Sequence, residues 1–313
     1  MKIIFMGTPD FAVCILEKLI QAKKDIVAVV TAPDKPAGRG RAIQESAVKK
    51  CAVSHKIPTL QPANLKAEDF INELQWYNAD LFVVVAFRML PEAVWSIPPK
   101  GTINLHGSLL PQYRGAAPIN WAVINGEKET GVSTFFIEKE IDTGKIIEQA
   151  KIQIGENDTV GEVHDRLMHL GADLTVHTVE LIESNDTIPS IDQNSFDLTQ
   201  VKHAPKIFKE DCKVDWSMDA KSIHDFIRGL SPYPAAWTNL TNETSGETRS
   251  FKLFISRKTG IKVTERKILT TKEGILFPCS DEYILITEFQ PEGKRRMHFK
   301  EFLAGNTFED WGI

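Results

Sequence analysis

The sequence predicts an α/β protein with a Rossmann-like, mostly parallel sheet, followed by a C-terminal OB-like β-barrel domain. In the first part of the chain, strand-like and helix-like segments alternate, which is typical of βαβ units. A long amphipathic helix, predicted over Val160–Glu183, closes this part. From Phe251 onward, short β-like segments follow one another closely, and this spacing indicates a closed or nearly closed barrel.

The N-terminal elements follow from hydrophobic periodicity. Lys2–Met6 is apolar and β-branched, and Phe11–Ala22 places Val13, Leu16 and Leu19 at helical spacing. The predicted strands of this part are Lys2–Met6, Asp25–Thr31, Val83–Ala86, Gly101–His106 and Thr134–Ile137. In parallel sheets the ligand crevice lies outside the carboxyl ends of the strands. We therefore expect the functional residues at those ends.

After residue 184 the amino-acid composition and the predicted elements change. Asn185–Lys209 is polar and rich in turn-forming residues, which is typical of a linker, and one further helix is predicted over Lys221–Leu230. The predicted barrel strands are Phe251–Ile255, Lys267–Thr270, Gly274–Pro278 and Tyr283–Phe289. The predicted organisation is therefore an N-terminal catalytic domain over residues 1–188, a linker over 189–206 and a barrel over 207–313.

Composition narrows the class of protein. The 313 residues are 42% hydrophobic and 25% charged, as in soluble globular proteins, and apolar runs such as Leu81–Phe87 are only strand-length. The four cysteines form no C-x-x-C pair, so neither a disulfide framework nor a zinc cluster is predicted. We expect a cytoplasmic protein with no membrane segment and no metal. A net charge of −5 gives no global basic field that would indicate nucleic acid.

The densest chemical signal is Asn104-x-His106 at the end of a predicted strand. Side chains repeat every two residues along a strand, so the amide and the imidazole share one face. An amide can donate to a developing oxyanion, and an imidazole can move a proton near neutral pH. Alone, however, a single histidine is more often structural than catalytic.

A second motif, Asp142-Thr143-Gly144, follows another predicted strand. By itself this sequence is typical of a β-turn. Together with Asn104-x-His106 it resembles the folate-dependent formyltransferase family. The resemblance extends over essentially the whole chain, through Gly7–Ala12, Asp34–Arg41, Arg114–Ile119, Ala204–Lys206, Pro232–Trp237 and Gln290–Lys294.

The resemblance implies a reaction. The formyl donor would be 10-formyltetrahydrofolate, and the acceptor would be the α-amine of methionine esterified to initiator tRNA. Asn104 would then donate to the oxyanion, and His106 would act beside it as a proton donor or oxyanion partner. Asp142 would orient His106 and relay the proton to the leaving nitrogen. No metal and no covalent enzyme intermediate would be needed.

The resemblance also implies binding residues. Those expected at the folate are Ser108, Leu109, Leu110, Pro111, Ala86, Phe87, Arg88 and Leu90. The Phe87–Leu90 stretch is shorter than is usual in the family and lacks its glycine. Those expected at the tRNA are Lys35, Arg39, Arg41, Lys294, Arg295 and Arg296, although on charge alone the two basic stretches are equally typical of solvated loops. A monomer is expected.

Three alternatives stay open at this point. Relatives that formylate a sugar nucleotide or another small amine share both motifs, but usually lack the Pro36–Arg41 loop and the Pro232–Trp237 segment. A nicotinamide-dependent oxidoreductase is disfavoured because Gly7-Thr8-Pro9-Asp10 lacks the G-x-G-x-x-G spacing. A non-catalytic RNA-binding protein is disfavoured because it would give Asn104, His106 and Asp142 no function.

Overall fold

The computed structural model describes residues 1–37 and 42–313, which divide into two compact units. The N-terminal unit contains Met1–Gly115, Gly131–Ile152 and Asp165–His203. The C-terminal unit contains Ala116–Thr130, Gln153–His164 and Ala204–Ile313. The chain therefore passes between the units several times, and the domain boundaries given above stay a prediction.

Ten strands and six helices lie in the part of the first 184 residues that the structure describes, which leaves out 38–41. The strands are β1 (Lys2–Gly7), β2 (Asp25–Val30), β3 (Lys35–Ala37), β4 (Ala42–Gln44), β5 (Thr59–Leu60), β6 (Leu81–Val85), β7 (Thr102–His106), β8 (Arg114–Gly115), β9 (Glu129–Phe136) and β10 (Ile146–Gln153). The helices are α1 (Asp10–Gln21), α2 (Ala47–Ser54), α3 (Glu68–Trp76), α4 (Glu92–Trp95), α5 (Pro118–Ile124) and α6 (Val160–Ser184). The strands and helices predicted in this part are present, and the largest difference in bounds is at β9, which begins five residues before the predicted Thr134.

A seven-stranded sheet in the order β10-β9-β7-β6-β1-β2-β5 forms the centre of the N-terminal unit. The pairs from β7 to β5 are parallel, and β9 pairs with β7 in the antiparallel direction. The strand β6 is buried at every position, as expected for a strand that helices cover on both faces. The predicted mostly parallel, Rossmann-like sheet is confirmed.

The C-terminal unit is built around an antiparallel sheet. The strands and α-helices from residue 203 onward are β11 (His203–Ala204), α7 (Ala220–Leu230), β12 (Ala236–Asn242), β13 (Thr248–Lys262), β14 (Leu269–Thr270), β15 (Ile275–Pro278), β16 (Glu282–Pro291), β17 (Met297–His298), α8 (Phe299–Leu303) and β18 (Trp311–Gly312). The sheet order is β14-β15-β16-β13-β12-β18, and β17 pairs with β16. Phe251, Phe289, Phe302 and Phe308 pack against one another in its core. This architecture agrees with the predicted OB-like domain.

The segment predicted as a linker is not featureless. Short 3₁₀ helices cover Gln193–Ser195 and Leu198–Gln200, and the carboxylates of Asp192 and Asp197 cap them. Gln193 is fully buried although its neighbours are exposed. Among the residues that the structure describes, no helix combines the length and apolar character needed to cross a membrane.

Candidate active site

The strand β7 carries the first motif to the carboxyl edge of the parallel sheet. It lies between β6, where Val84 is opposite Asn104, and β9, where Ser133 is opposite His106. Because side chains alternate along a strand, the Asn104 and His106 side chains lie on the same face of β7. The sheet thus places an amide and an imidazole side by side where a parallel-sheet crevice forms.

The ring of His106 is buried, with only 6% of the residue exposed. Its Nε2 lies 2.9 Å from the carbonyl oxygen of Tyr113, and because that oxygen can only accept, Nε2 carries the hydrogen. The neutral imidazole is therefore the Nε2–H tautomer. Its basic nitrogen, Nδ1, faces Asp142 at 3.8 Å from Oδ2. The Phe135 ring lies nearly perpendicular to the imidazole, with 6.4 Å between the ring centroids.

Asp142 arrives from the second motif, on the loop that joins β9 to β10. Its side chain is 12% exposed, and its Oδ2 accepts a hydrogen bond from the backbone N–H of Gly115 at 2.9 Å. The 3.8 Å gap to His106 is longer than a hydrogen bond, so a small movement or a bridging proton carrier is needed to connect the two groups. The two motifs that lie far apart in sequence therefore meet at one point.

Asn104 is half-buried, and its amide is available for a ligand. Within residues 1–37 and 42–313, no protein group forms a hydrogen bond with this side-chain amide. The amide must therefore bond to solvent or to a bound molecule. An amide with this freedom suits the donor role predicted for an oxyanion.

The segment predicted to line the folate forms the corner that follows β7. Ser108 donates from Oγ to the carbonyl of Gln112 at 2.6 Å, and Ser133 donates from Oγ to the carbonyl of Ser108 at 2.6 Å. The N–H of Leu110 donates to Ser133 Oγ at 3.0 Å. Three of the four predicted residues are buried, namely Ser108, Leu110 and Pro111, whereas Leu109 is half-buried. Hydrogen bonds therefore hold this corner, and Leu109 is the least buried of the four residues.

The stretch that follows β6 is held by an arginine. Arg88 donates to the carbonyls of Pro62 at 2.8 Å and Ala63 at 3.3 Å, and its guanidinium lies 5.4 Å from the Phe87 ring centroid. Ala86 is exposed and has a φ of 47°, and Leu90 is buried. Since Val85 is opposite Leu105, this stretch begins beside His106. Arg88 fixes the short segment that lacks the glycine usual in the family.

The basic residues predicted to contact tRNA have different surroundings. Lys35 is exposed on β3, whereas Arg39 and Arg41 lie outside the described residues. Lys294 is exposed in the turn after β16. Arg295 pairs with Glu301, and Arg296 pairs with Glu288 at 2.6 Å while lying 4.4 Å from the Phe254 ring centroid. Acidic partners thus offset the charges of two of the three C-terminal residues predicted to contact tRNA, Arg295 and Arg296.

A cavity of about 670 Å³ lies within the C-terminal unit. Its lining combines cations with aromatic rings and includes Lys206, Lys209, Lys252, Tyr233 and Trp237. Tyr233 is 82% exposed. Lysines around exposed rings can bind phosphates and stack against bases. Three segments that carry the family resemblance, Ala204–Lys206, Pro232–Trp237 and Gln290–Lys294, contribute to this lining, but nothing in their sequence shows that they lie around one cavity.

Among the described residues, one group of possible metal ligands lies on α1, on α2 and at the residue that follows α2. Glu17, Cys51 and His55 each offer a ligand atom within 4.8 Å of the others. Burial, and then the charge of Glu17, raise the pKa of the Cys51 thiol to about 11. The thiol is therefore protonated at neutral pH, and a metal would have to displace that proton.

Sequence reasoning missed the residue that holds the Asp142 loop. The side-chain oxygen of Gln193 accepts from Arg114 Nε at 3.0 Å and Nη2 at 2.7 Å. Its Nε2 donates to the carbonyls of Asp142 at 3.0 Å and Gly144 at 2.7 Å. No local signal marks Gln193, because it lies in a polar segment and the residues around it, 189–192 and 194–200, are exposed.

Gly144 is needed because the backbone leaves no room for a side chain. A Cβ atom at this position would lie 1.7 Å from the carbonyl oxygen of Phe136. Gly144→Ala should therefore destabilise the protein by about 2–3 kcal/mol, as overpacking does, and lower the Tm by roughly 5–10 °C in thermal unfolding. Gly305→Ala is the matched control, because no atom lies within 4 Å of its Cβ position. Equal Tm values for the two variants would contradict this account.

Family models match both parts of the chain. The model described as "Formyl transferase" matches residues 1–179, and "Formyl transferase, C-terminal domain" matches residues 206–307. The chain belongs to the formyl transferase family. The predicted family is thereby confirmed. The alternative of a nicotinamide-dependent oxidoreductase is excluded.

Relatives of similar length support the same assignment. A methionyl-tRNA formyltransferase of Bacteroides fragilis is 50% identical over 309 residues, which cover 97% of this formyl transferase and 95% of the relative. One from Flavobacterium johnsoniae is 47% identical over 312 residues, which cover 99% of this chain and 98% of that one. The similarity therefore includes both units.

Solved structures show the same fold at low sequence identity. HypX from Aquifex aeolicus, in complex with tetrahydrofolic acid, matches with a TM-score of 0.65 and 16% identity over 97% of this formyl transferase and 47% of that longer chain. An N-formyltransferase from Helicobacter canadensis, with folinic acid and dTDP-3-aminofucose, matches with a TM-score of 0.63 and 18% identity over 95% of this chain and 100% of that one. These similarities establish the fold alone.

Proposed function

We propose that this enzyme transfers the formyl group of 10-formyltetrahydrofolate to the free α-amine of methionine on initiator tRNA. The products are N-formylmethionyl-tRNA and tetrahydrofolate, and the reaction serves translation initiation. The observation that carries the proposal is the approach of Asp142 to the basic nitrogen of His106, at 3.8 Å. Similarity to methionyl-tRNA formyltransferases over 97% of the chain supports methionyl-tRNA as the acceptor.

The proposed mechanism assigns one task to each polar group. The amine nitrogen forms a bond to the formyl carbon, and the Asn104 amide donates a hydrogen bond to the oxygen that becomes negative. His106 Nδ1, whose lone pair is free because Nε2 carries the hydrogen, takes the proton that the amine loses. The same proton then passes to the folate nitrogen as its bond to the formyl carbon breaks. Asp142 stabilises the imidazolium during this transfer.

The decisive experiment is a formyl-transfer assay with the purified enzyme. It is incubated with 10-formyltetrahydrofolate and charged initiator tRNA, and with charged elongator tRNA as the control. We expect N-formylmethionyl-tRNA to form on the initiator, with an equivalent release of tetrahydrofolate. Formyl transfer to an amino-sugar nucleotide or to glycinamide ribonucleotide, but not to charged tRNA, would instead favour the small-amine branch of the family.

Two surfaces are proposed to hold the tRNA. The first is the basic loop with Lys35, Arg39 and Arg41, whose arginines can form bidentate bonds to phosphates. The second lies on the C-terminal unit and includes Lys294, Arg295 and Arg296. The lysines and rings around the 670 Å³ cavity support nucleic-acid binding by the C-terminal unit.

Arg41→Ala tests the first surface. If Arg41 binds a tRNA phosphate, the KM for charged tRNA should rise roughly tenfold while the KM for the folate stays the same. The salt dependence of tRNA binding should also become less steep, by a slope of about one. Lys272→Ala, which removes an exposed cation elsewhere, is the control. Unchanged tRNA kinetics in Arg41→Ala would remove the loop from the proposal.

We further propose that the enzyme is a cytoplasmic monomer. All four of its cysteines are free thiols, which suits a reducing compartment. Sedimentation of the purified enzyme at assay concentration tests the oligomeric state, and a dimer would contradict it.

A further inference from the structure

The side chain of Gln193 uses its full hydrogen-bonding capacity on the backbone and side chains around the candidate active site. Its oxygen accepts two bonds from the Arg114 guanidinium, and its amide donates one bond to each of the Asp142 and Gly144 carbonyls. The residue is 0% exposed, so none of these bonds competes with water. A buried amide that is satisfied on all sides fixes the groups that it joins.

One of the residues that Gln193 contacts, Asp142, has an unfavourable backbone conformation. Asp142 has a φ of 57°, in the left-handed region that side chains other than glycine rarely adopt. Such a conformation persists only when surrounding contacts determine it. The bonds from Gln193 to the carbonyls of Asp142 and Gly144 hold the backbone on both sides of Thr143 in this turn.

Arg114 connects Gln193 to the histidine. The carbonyl of the preceding residue, Tyr113, accepts the hydrogen bond from His106 Nε2. The N–H of the following residue, Gly115, donates to the Asp142 carboxylate at 2.9 Å. Three consecutive residues, 113–115, therefore contact the imidazole, the Gln193 amide and the carboxylate in turn.

We infer that Gln193 is a positioning residue, which sets the Asp142 carboxylate against His106 by holding the backbone of residues 142–144 to the Arg114 guanidinium. It does not touch the reacting atoms itself. The expected loss of kcat rests on the proposed formyl transfer. The placement of the Asp142 carboxylate by Gln193 does not depend on which reaction the enzyme catalyses.

Two substitutions separate positioning from space-filling. Gln193→Glu keeps the volume of the side chain and can still accept from Arg114, but it cannot donate to the two carbonyls. Gln193→Ala removes all four bonds. We expect both variants to lose about 10- to 100-fold in kcat, with KM for tRNA and for folate changed less than threefold. Near-normal kcat in Gln193→Glu would reduce Gln193 to a packing role and overturn the inference.

A double variant tests whether the effect passes through Asp142. If Gln193 acts only by placing that carboxylate, adding Gln193→Ala to Asp142→Asn should lower kcat no further, within about threefold. A loss that multiplies instead would show that Gln193 acts on the fold as a whole, and would overturn the inference.

Amide hydrogen exchange followed by NMR gives a readout that needs no substrate. In Gln193→Ala, the Gly115 N–H should exchange at least about tenfold faster than in the wild type, because its acceptor carboxylate is no longer held in place. Asn194→Asp, one residue along and exposed, makes the same amide-to-acid change as Gln193→Glu and should leave the Gly115 rate unchanged. Unchanged Gly115 exchange in Gln193→Ala refutes the inference even if the enzyme proves to act on another acceptor.

Discussion

Asp142→Asn is expected to lower kcat for formyl transfer by about 10²-fold or more, with little change in KM for either substrate. Asparagine has nearly the same shape as aspartate, and its oxygen can still accept the hydrogen bond from Gly115 N–H. It has no negative charge with which to stabilise the imidazolium of His106. The loss should therefore appear in the step that moves the proton and not in binding.

Single-turnover measurements with saturating folate and charged tRNA are the appropriate test of the Asp142 variant, because they separate chemistry from product release. Asp186→Asn, the same change at an exposed position, is the control and should keep normal turnover. His106→Ala should show a loss of similar size. Near-normal single-turnover rates in Asp142→Asn would exclude the carboxylate from the mechanism.

Asn104→Ala is expected to lower kcat by about 10²- to 10³-fold, the loss that follows removal of one donor to an oxyanion. The amide bonds no protein group among the described residues, so its removal leaves no unsatisfied partner behind. We therefore expect the Tm to remain within about 2 °C of the wild type. A large kinetic loss without a loss of stability would distinguish a catalytic donor from a structural one.

The control for Asn104 is chosen to separate charge from hydrogen bonding. Asn104→Asp keeps the shape of the side chain but places a negative charge beside the developing oxyanion, so it should be at least as impaired as Asn104→Ala. Asn239→Ala, at an exposed position of β12, should behave as the wild type. If Asn104→Asp were as active as the wild type, the amide could not be the oxyanion donor.

The sequence predicted the parts of the site that follow from periodicity, and the resemblance supplied the rest. The two-residue repeat of a strand was enough to place Asn104 and His106 on one face of β7. Their proximity to Asp142 could not be derived from spacing, because it depends on how the β9–β10 loop folds back over the sheet edge. It was expected only because both motifs occur together in one family.

Other features had no signal in the sequence. The strand β13, Thr248–Lys262, is much longer than the predicted Phe251–Ile255, because its second half is held by pairing with β16 and is largely exposed. Exposed pairing leaves no hydrophobic alternation to detect. Likewise, a count of charges could not show that Glu288 and Glu301 lie against Arg296 and Arg295.

The hydrogen bond from His106 Nε2 to the Tyr113 carbonyl affects how many protons the enzyme exchanges with solvent during turnover. If His106 carries the proton as proposed above, its ring can take up and release that proton only at Nδ1, so the hydrogen removed from the acceptor amine would be the one delivered to the departing folate. Each cycle would then close without drawing a hydrogen ion from bulk water or releasing one to it. The imidazole would then already be back in its starting tautomer when the products leave.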